Sequence, residues 1–75
     1  MKKYLSFERR LPGGFQKIYF FKNGFGASVV KMEDAPGLDV AILKGNIKRY
    51  SIIETPDYYL TDKELESLLK KLKTH

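Results

Sequence analysis

The stretch Phe20-Phe21-Lys22-Asn23-Gly24-Phe25-Gly26-Ala27-Ser28-Val29-Val30 decides the fold of this 75-residue chain. An Asn-Gly pair between two runs of aromatic and β-branched residues is the strongest hairpin signal that a short sequence contains. We expect a two-residue type I′ turn at Asn23-Gly24, because both residues tolerate the positive φ that this turn requires. The turn joins predicted strands at 15–22 and 25–32. The small Gly26 and Ala27 predict close approach of a bulky neighbour, such as a helix.

Further strands extend this hairpin into a meander. Residues 38–44 are apolar on both sides, which predicts a central or well-covered strand. Gly45-Asn46 predicts a second hairpin turn, followed by a strand at 47–54. Residues 1–10 alternate too irregularly to assign, and they form either an ordered arm or an edge strand before the break at Leu11-Pro12-Gly13-Gly14. We therefore expect three or four antiparallel strands.

A helix is predicted at residues 61–73. Thr61 and Glu64 have the spacing of a capping box, in which each side chain bonds to the backbone of the other residue. An apolar stripe follows at i, i+3, i+4 and i+7, formed by Leu65, Leu68, Leu69 and Leu72. The sequence thus predicts one α+β domain over 1–75: a β-meander at 15–54 with a single amphipathic C-terminal helix packed on one face.

Composition limits the environment and the partners. The chain has no cysteine, which excludes disulfides and thiolate metal sites. It contains neither a run of signal-peptide type nor the ~20 apolar residues of a membrane span, so we expect a cytoplasmic protein that does not bind membranes. The net charge is +5, and residues 1–22 hold six Lys or Arg against a single Glu. Such a surplus favours nucleic acid or acidic proteins as partners.

Three segments together resemble a family of small proteins encoded by tailed bacteriophages and prophages. They are Asn-Gly-Phe-Gly-Ala-Ser-Val-Val at 23–30, Asp-Val-Ala-Ile-Leu at 39–43, and Glu-Thr-Pro at 54–56 before a capped helix. Family members typically show Asn-Gly-Tyr-Gly-Ala-Ser-Val-Val, a segment ending Glu-Leu-Ala-Val-Leu, and an Asp-Thr-Pro step. The similarity covers about residues 17–73, although the family has a longer loop where this chain has only 57–60. The resemblance implies a phage or prophage origin, and it implies no activity and no active site.

The residues that catalysis requires are scarce. His75 is the only histidine and lies at the chain end, and the aspartates have no recognised metal-ligand spacing. Ser28 has no nearby histidine to activate it as a nucleophile. We therefore predict a protein that is not an enzyme, with no catalytic residue, no metal site and no cofactor.

Two binding functions stay open. The first is a protein-protein interface with a host or phage protein or with a second copy as a homodimer, and its candidate residues are Tyr19, Phe21, Phe25, Tyr58 and Tyr59. The second is nucleic-acid binding on a basic, aromatic sheet face. Its candidate residues are Lys2, Lys3, Arg9, Arg10, Lys17 and Lys22.

Overall fold

The structure, a computed structural model, describes residues 1–75 and contains one antiparallel sheet and one α-helix. After a short 3₁₀ turn at Lys2–Tyr4, the strands are β1 (Leu5–Leu11), β2 (Gly14–Phe20), β3 (Phe25–Met32), β4 (Leu38–Asn46) and β5 (Arg49–Glu54), and the helix is α1 (Asp62–Lys73). The strands lie in the order β1-β2-β3-β4-β5. The predicted α+β meander with one C-terminal helix is confirmed, but the sheet has five strands instead of three or four.

The additional strand is β1, which overlaps the segment predicted to form either an ordered arm or an edge strand. It pairs with β2 in an antiparallel register that places Glu8 opposite Lys17 and Arg9 opposite Gln16. The Arg9 Nε donates a hydrogen bond of 2.7 Å to the Gln16 Oε1. Five of the seven β1 residues are exposed. Because neither face of β1 is deeply buried, its sequence has no regular apolar alternation, and this made the strand hard to recognise.

The first hairpin is closed by a three-residue loop and not by the predicted type I′ turn. The Phe21 N–H donates to the Phe25 carbonyl at 2.9 Å, and the Gly24 N–H donates to the Phe21 carbonyl at 3.1 Å. Gly24 has φ 87°, whereas no residue other than glycine has a positive φ. Asn23 is therefore not left-handed, and Gly24 alone supplies the left-handed residue that such a loop needs.

The second hairpin turns two residues later than predicted. β4 continues through Asn46, and β5 begins at Arg49. The Asn46 Oδ1 accepts hydrogen bonds from the N–H groups of Lys48 at 2.9 Å and Arg49 at 3.2 Å. The asparagine side chain thus stabilises the turn from the last position of the strand.

α1 packs on one side of the sheet, which we call the helix face. The core there is formed by Phe21, Ala27, Val29, Leu38, Val40, Ile42, Leu60, Leu69 and Leu72. The capping box is confirmed, because the Thr61 N–H donates to the Glu64 Oε1 at 2.9 Å and the Glu64 N–H donates to the Thr61 Oγ1 at 3.1 Å. The leucine stripe is also confirmed: Leu69 and Leu72 are buried, and the other two leucines pack against the core. No helix in the structure has the length and apolar character needed to cross a membrane.

The other side of the sheet, which we call the open face, has no helix over it. Leu43 is nevertheless fully buried there, between Gly26 on β3 and Ile52 on β5 in the strand register. The rings of Phe20 and Tyr50 reach across the sheet from β2 and β5, and their centroids lie 5.6 Å apart. A Cβ at Gly26 would meet the carbonyl oxygen of Tyr19 first, and it would lie 2.6 Å from the Phe20 ring. The neighbours that Gly26 accommodates are therefore the backbone of β2 and an aromatic ring, and not the helix.

Candidate interaction surfaces

Three of the predicted interface residues lie on the helix face. Phe21 is only 6% exposed and belongs to the core, and Tyr19 and Phe25 are half-buried against that core. The Phe25 ring contacts the ring of His75 edge-on at 4.7 Å, and the Lys44 Nζ lies 3.9 Å from its centroid. These aromatic side chains stabilise the fold, so they do not form an exposed aromatic sheet face.

The exposed large apolar side chains concentrate on β5 and the segment that follows it. Every residue of β5 is exposed, and Ile52 is 62% exposed. Tyr58 and Tyr59, the two remaining predicted interface residues, are 64% and 50% exposed. Leu60 then pairs with Leu38, so residues 55–59 follow the same side of β4 that β5 occupies. We call this surface the apolar edge; it consists of Tyr50, Ile52, Ile53, Tyr58 and Tyr59.

Sequence reasoning missed the three β5 members of the apolar edge. The strand itself was predicted, but its residues Tyr50, Ile52 and Ile53 were not among the predicted interface residues. The signal that could have identified them is topological. The last strand of a meander has no neighbour beyond it, so its outer backbone groups and part of its side-chain surface stay uncovered.

A cleft of about 770 Å³ lies between this segment and α1. Pro56 and Tyr58 line one side, and Leu68 and Lys71 of the helix line the other. Backbone hydrogen bonds of 2.8 Å in both directions between Leu38 and Leu60 fix the chain where it leaves the cleft and enters the helix. The cleft adjoins the apolar edge, because Tyr58 belongs to both surfaces.

The six predicted nucleic-acid contacts do not form one patch. Lys2 and Lys3 lie in the 3₁₀ turn, and Lys22 lies in the loop between β2 and β3. Arg9 is on the open face, where its side chain donates to Gln16, and it also contributes to the lining of the cleft that contains Arg10 and Lys17. The remaining two, Arg10 and Lys17, lie on the helix face, beyond the core.

Arg10 and Lys17 belong to a basic cleft of about 830 Å³ that crosses three strands. The register places Arg10, Phe15 and Lys31 in one row, and the Lys17 Nζ lies 5.3 Å from the centroid of the Phe15 ring. We define the basic cleft by these four residues. Glu8 and Glu33 also line it and reduce its positive charge.

Tyr4 joins the N-terminal turn to the end of α1. Its ring contacts Phe21 edge-on at 4.9 Å, and the ammonium groups of Lys3 and Lys73 lie 5.2 and 5.1 Å from its centroid. Hydrogen bonding from Lys73 lowers the pKa of Tyr4, and the partial desolvation of the phenol opposes this shift. The pKa of Tyr19 is raised, first by burial and then by the charge of Glu8.

No cluster of three or more His, Asp and Glu side chains has the geometry to hold a metal ion. His75 contacts Phe25, and no polar or charged side chain is buried. The surfaces that the structure does present are an apolar edge and a basic cleft.

No protein family, curated protein or solved structure matches this chain. The resemblance to small phage proteins therefore stays a prediction from the sequence.

Proposed function

We propose that this chain is a small, non-enzymatic binding protein of a tailed bacteriophage or prophage that acts in the host cytoplasm through a protein-protein interface on the apolar edge. The observation that carries the proposal is the exposure of all six residues of β5, an edge strand that includes Tyr50, Ile52 and Ile53. The phage origin and the cytoplasmic location rest on the sequence alone.

An exposed apolar edge strand offers a partner two kinds of contact. Its outer N–H and C=O groups can pair with an added strand, and its side chains can be removed from water. Full burial of an isoleucine is worth about 1.5–3 kcal/mol relative to leaving it exposed. Because Ile52 is 62% exposed and Ile53 is 52% exposed, a partner that covers them would gain about 1–2 kcal/mol from each. Tyr58 and Tyr59 add amphipathic rings of the kind enriched at protein interfaces.

A pull-down tests this interface directly. Tagged protein is incubated with bacterial lysate, with and without nuclease and at low and high salt, and the retained proteins are identified by mass spectrometry. We expect a protein that is retained after nuclease treatment and at high salt, because apolar burial does not weaken as salt rises.

The matched variants are Ile52→Glu in the apolar edge and Ser6→Glu on β1, at the opposite edge of the sheet. Both introduce one carboxylate at an exposed position, so they change net charge equally. Ile52→Glu should lose the retained protein and Ser6→Glu should keep it. Equal retention by the two variants would contradict an interface on the apolar edge.

The basic cleft supports a second candidate function, which is nucleic-acid binding. Arg10 and Lys31 flank Phe15 in one cross-strand row, and Lys17 lies beside the same ring. Basic groups around a partly exposed aromatic ring suit a single strand, whose bases stack while its phosphates contact the cations. The carboxylates of Glu8 and Glu33 in the cleft work against this function.

Salt dependence separates this candidate from the first. Binding of a fluorescent single-stranded oligonucleotide should weaken steeply as salt rises, because phosphate contacts release counterions. The double variant Arg10→Glu/Lys31→Glu should abolish binding, whereas the control Lys63→Glu/Lys71→Glu, with the same change in net charge on α1, should reduce it only slightly. Equal losses in both double variants would show a non-specific charge effect and would count against the basic cleft.

A further inference from the structure

We propose that β5 pairs in an antiparallel manner with β5 of a second copy, so that the two sheets form one continuous sheet about a twofold axis at Ser51. This inference rests on the proposed function, because it names a second copy of the chain as the partner of the apolar edge. The order of residues along β5, together with a bulge near its end, carries the argument.

A twofold axis at Ser51 matches the apolar residues of the two strands. Opposite residues in an antiparallel pair lie on the same face of the sheet. Tyr50 pairs with Gly45 and Ile52 pairs with Leu43, so both side chains lie on the open face. The axis places Tyr50 opposite Ile52 of the second copy on that face, twice in the dimer. Aromatic and β-branched residues form favourable cross-strand pairs.

The same axis matches the charges at the two ends of β5. The register runs from Leu43 opposite Ile52 to Ile42 opposite Glu54, so Ile53 is the extra residue of a bulge. Because the extra residue Ile53 has no partner on β4, Glu54 occupies the second pairing position after Ser51. Arg49 occupies the second pairing position before Ser51. Arg49 and Glu54 pair with Asn46 and Ile42 and lie on the helix face. Each Arg49 therefore meets Glu54 of the second copy.

The opposite edge of the sheet is less complementary. A twofold axis at the centre of β1 would place Glu8 against Glu8 of the second copy. An axis one residue further along would set Glu8 opposite Arg10, but it would place Arg9 against Arg9 at the centre of the pair. Like charges directly opposite each other destabilise a strand pair. The geometry therefore points to β5 as the edge that self-associates.

Cross-linking through a single cysteine tests the register. The chain has no cysteine, so Ser51→Cys introduces the only thiol. Directly opposite Cβ atoms in an antiparallel pair lie about 4.5–5.5 Å apart, within about an ångström of the separation in a disulfide. Under mild oxidation, Ser51→Cys should form a disulfide dimer much faster than the controls Ser67→Cys on α1 and Ser6→Cys on β1, both at exposed positions.

Charge exchange tests the pairing of Arg49 with Glu54. Arg49→Glu alone and Glu54→Arg alone each replace two opposite-charge pairs by like-charge pairs, and each should weaken dimerisation about tenfold in sedimentation equilibrium. Mixing the two variants should restore association, because the mixed dimer has an opposite-charge pair at both ends. The double variant Arg49→Glu/Glu54→Arg should also recover the dimer of the original protein.

The outcomes also distinguish this inference from the proposed function. A chain that stays monomeric at high concentration, with no faster cross-linking of Ser51→Cys than of the controls, would overturn the β5 dimer. In that case, retention of a lysate protein by the original chain and its loss in Ile52→Glu would still support the apolar edge as an interface with a different partner. If neither association occurs, both the inference and the proposed function fail.

Discussion

Asn23 connects the first hairpin to the end of the helix, and its replacement by alanine should loosen both. Its Nδ2 donates to the Leu72 carbonyl at 2.7 Å, and its Oδ1 accepts from the Phe25 N–H at 3.1 Å. The first bond satisfies one of the carbonyl groups that a helix leaves without an intrahelical partner at its C-terminal end. Because Asn23 has a negative φ, alanine fits its backbone conformation without strain, and the variant removes only the side-chain bonds.

Two lost hydrogen bonds set the magnitude of this effect. A typical intramolecular hydrogen bond contributes about 0.5–1.5 kcal/mol net, so Asn23→Ala should lower the free energy of unfolding by about 1–3 kcal/mol. For a domain of this size, that loss corresponds to a fall in Tm of about 4–24 °C. Urea and thermal denaturation followed by far-UV circular dichroism measure the change. Hydrogen exchange should show faster exchange at the C-terminal turn of α1.

Two further variants separate the bond to the helix from the bond within the turn. Asn23→Asp keeps the acceptor for Phe25 but places a carboxylate against the Leu72 carbonyl and the negative end of the helix dipole. It should be less stable than Asn23→Ala at neutral pH. Its stability should recover on acidification, because the native state favours the protonated carboxyl and binds more protons than the unfolded state. Asn46→Ala loses two bonds inside one turn, and it should leave exchange in α1 unchanged.

Two results would refute this reasoning. The first is an Asn23→Ala unfolding free energy within about 0.3 kcal/mol of the original, which is the usual range of a neutral surface substitution. The second is an Asn23→Asp variant as stable as the original protein at neutral pH, since the carboxylate cannot donate to the helix.

Three further predictions concern single side chains. Leu43→Ala should cost about 2–5 kcal/mol in urea denaturation, because this residue is fully buried although no helix covers it; a cost below about 1 kcal/mol would show that the open face has no packed interior. Thr61→Ala should cost about 1 kcal/mol through loss of the cap, and Thr61→Ser should be close to neutral in the same assay. In an absorbance titration of the phenols, Tyr4 should ionise at lower pH than Tyr19, and Lys73→Met should raise the pKa of Tyr4; an unchanged pKa would contradict the role of Lys73. Because the native pKa of Tyr4 is below its unfolded value, its contribution to stability is present at alkaline pH and is lost as pH falls through the native pKa.

The sequence predicted those parts of the fold that local rules determine. The capping box at Thr61 and Glu64 needs only the spacing of two residues, and the structure contains both of its bonds. The hairpin around Asn23-Gly24 was placed correctly, but its turn type was wrong. The predicted turn relied on the ability of asparagine to adopt a positive φ. The Asn23 side chain instead bonds to the helix at Leu72, 49 residues away in sequence, and neighbouring residues cannot predict such a contact.

The candidate site was harder to predict, because burial depends on which sheet face the helix covers. Tyr19 and Phe20 are adjacent aromatic residues on β2, and periodicity alone gives both faces of this strand an apolar character. The helix covers the face with Tyr19, so that residue packs against the core. Phe20 reaches over Gly26 to Tyr50, a contact between strands three positions apart that no local pattern specifies. Only the structure therefore shows which of these aromatic residues pack on the helix face and which lie on the open face.

The two edges of the sheet differ in a way that favours a partner at β5. Natural sheets discourage edge pairing with charged residues along the strand, and β1 follows this rule with Glu8, Arg9 and Arg10 in succession at its exposed surface. β5 has charges only at its ends, Arg49 and Glu54, with Tyr-Ser-Ile-Ile between them. An exposed strand of that composition invites aggregation unless another chain covers it. A short chain with a small core gains little free energy on folding, so it has little stability to set against aggregation. A specific partner at this edge is therefore the simplest explanation for the composition of β5.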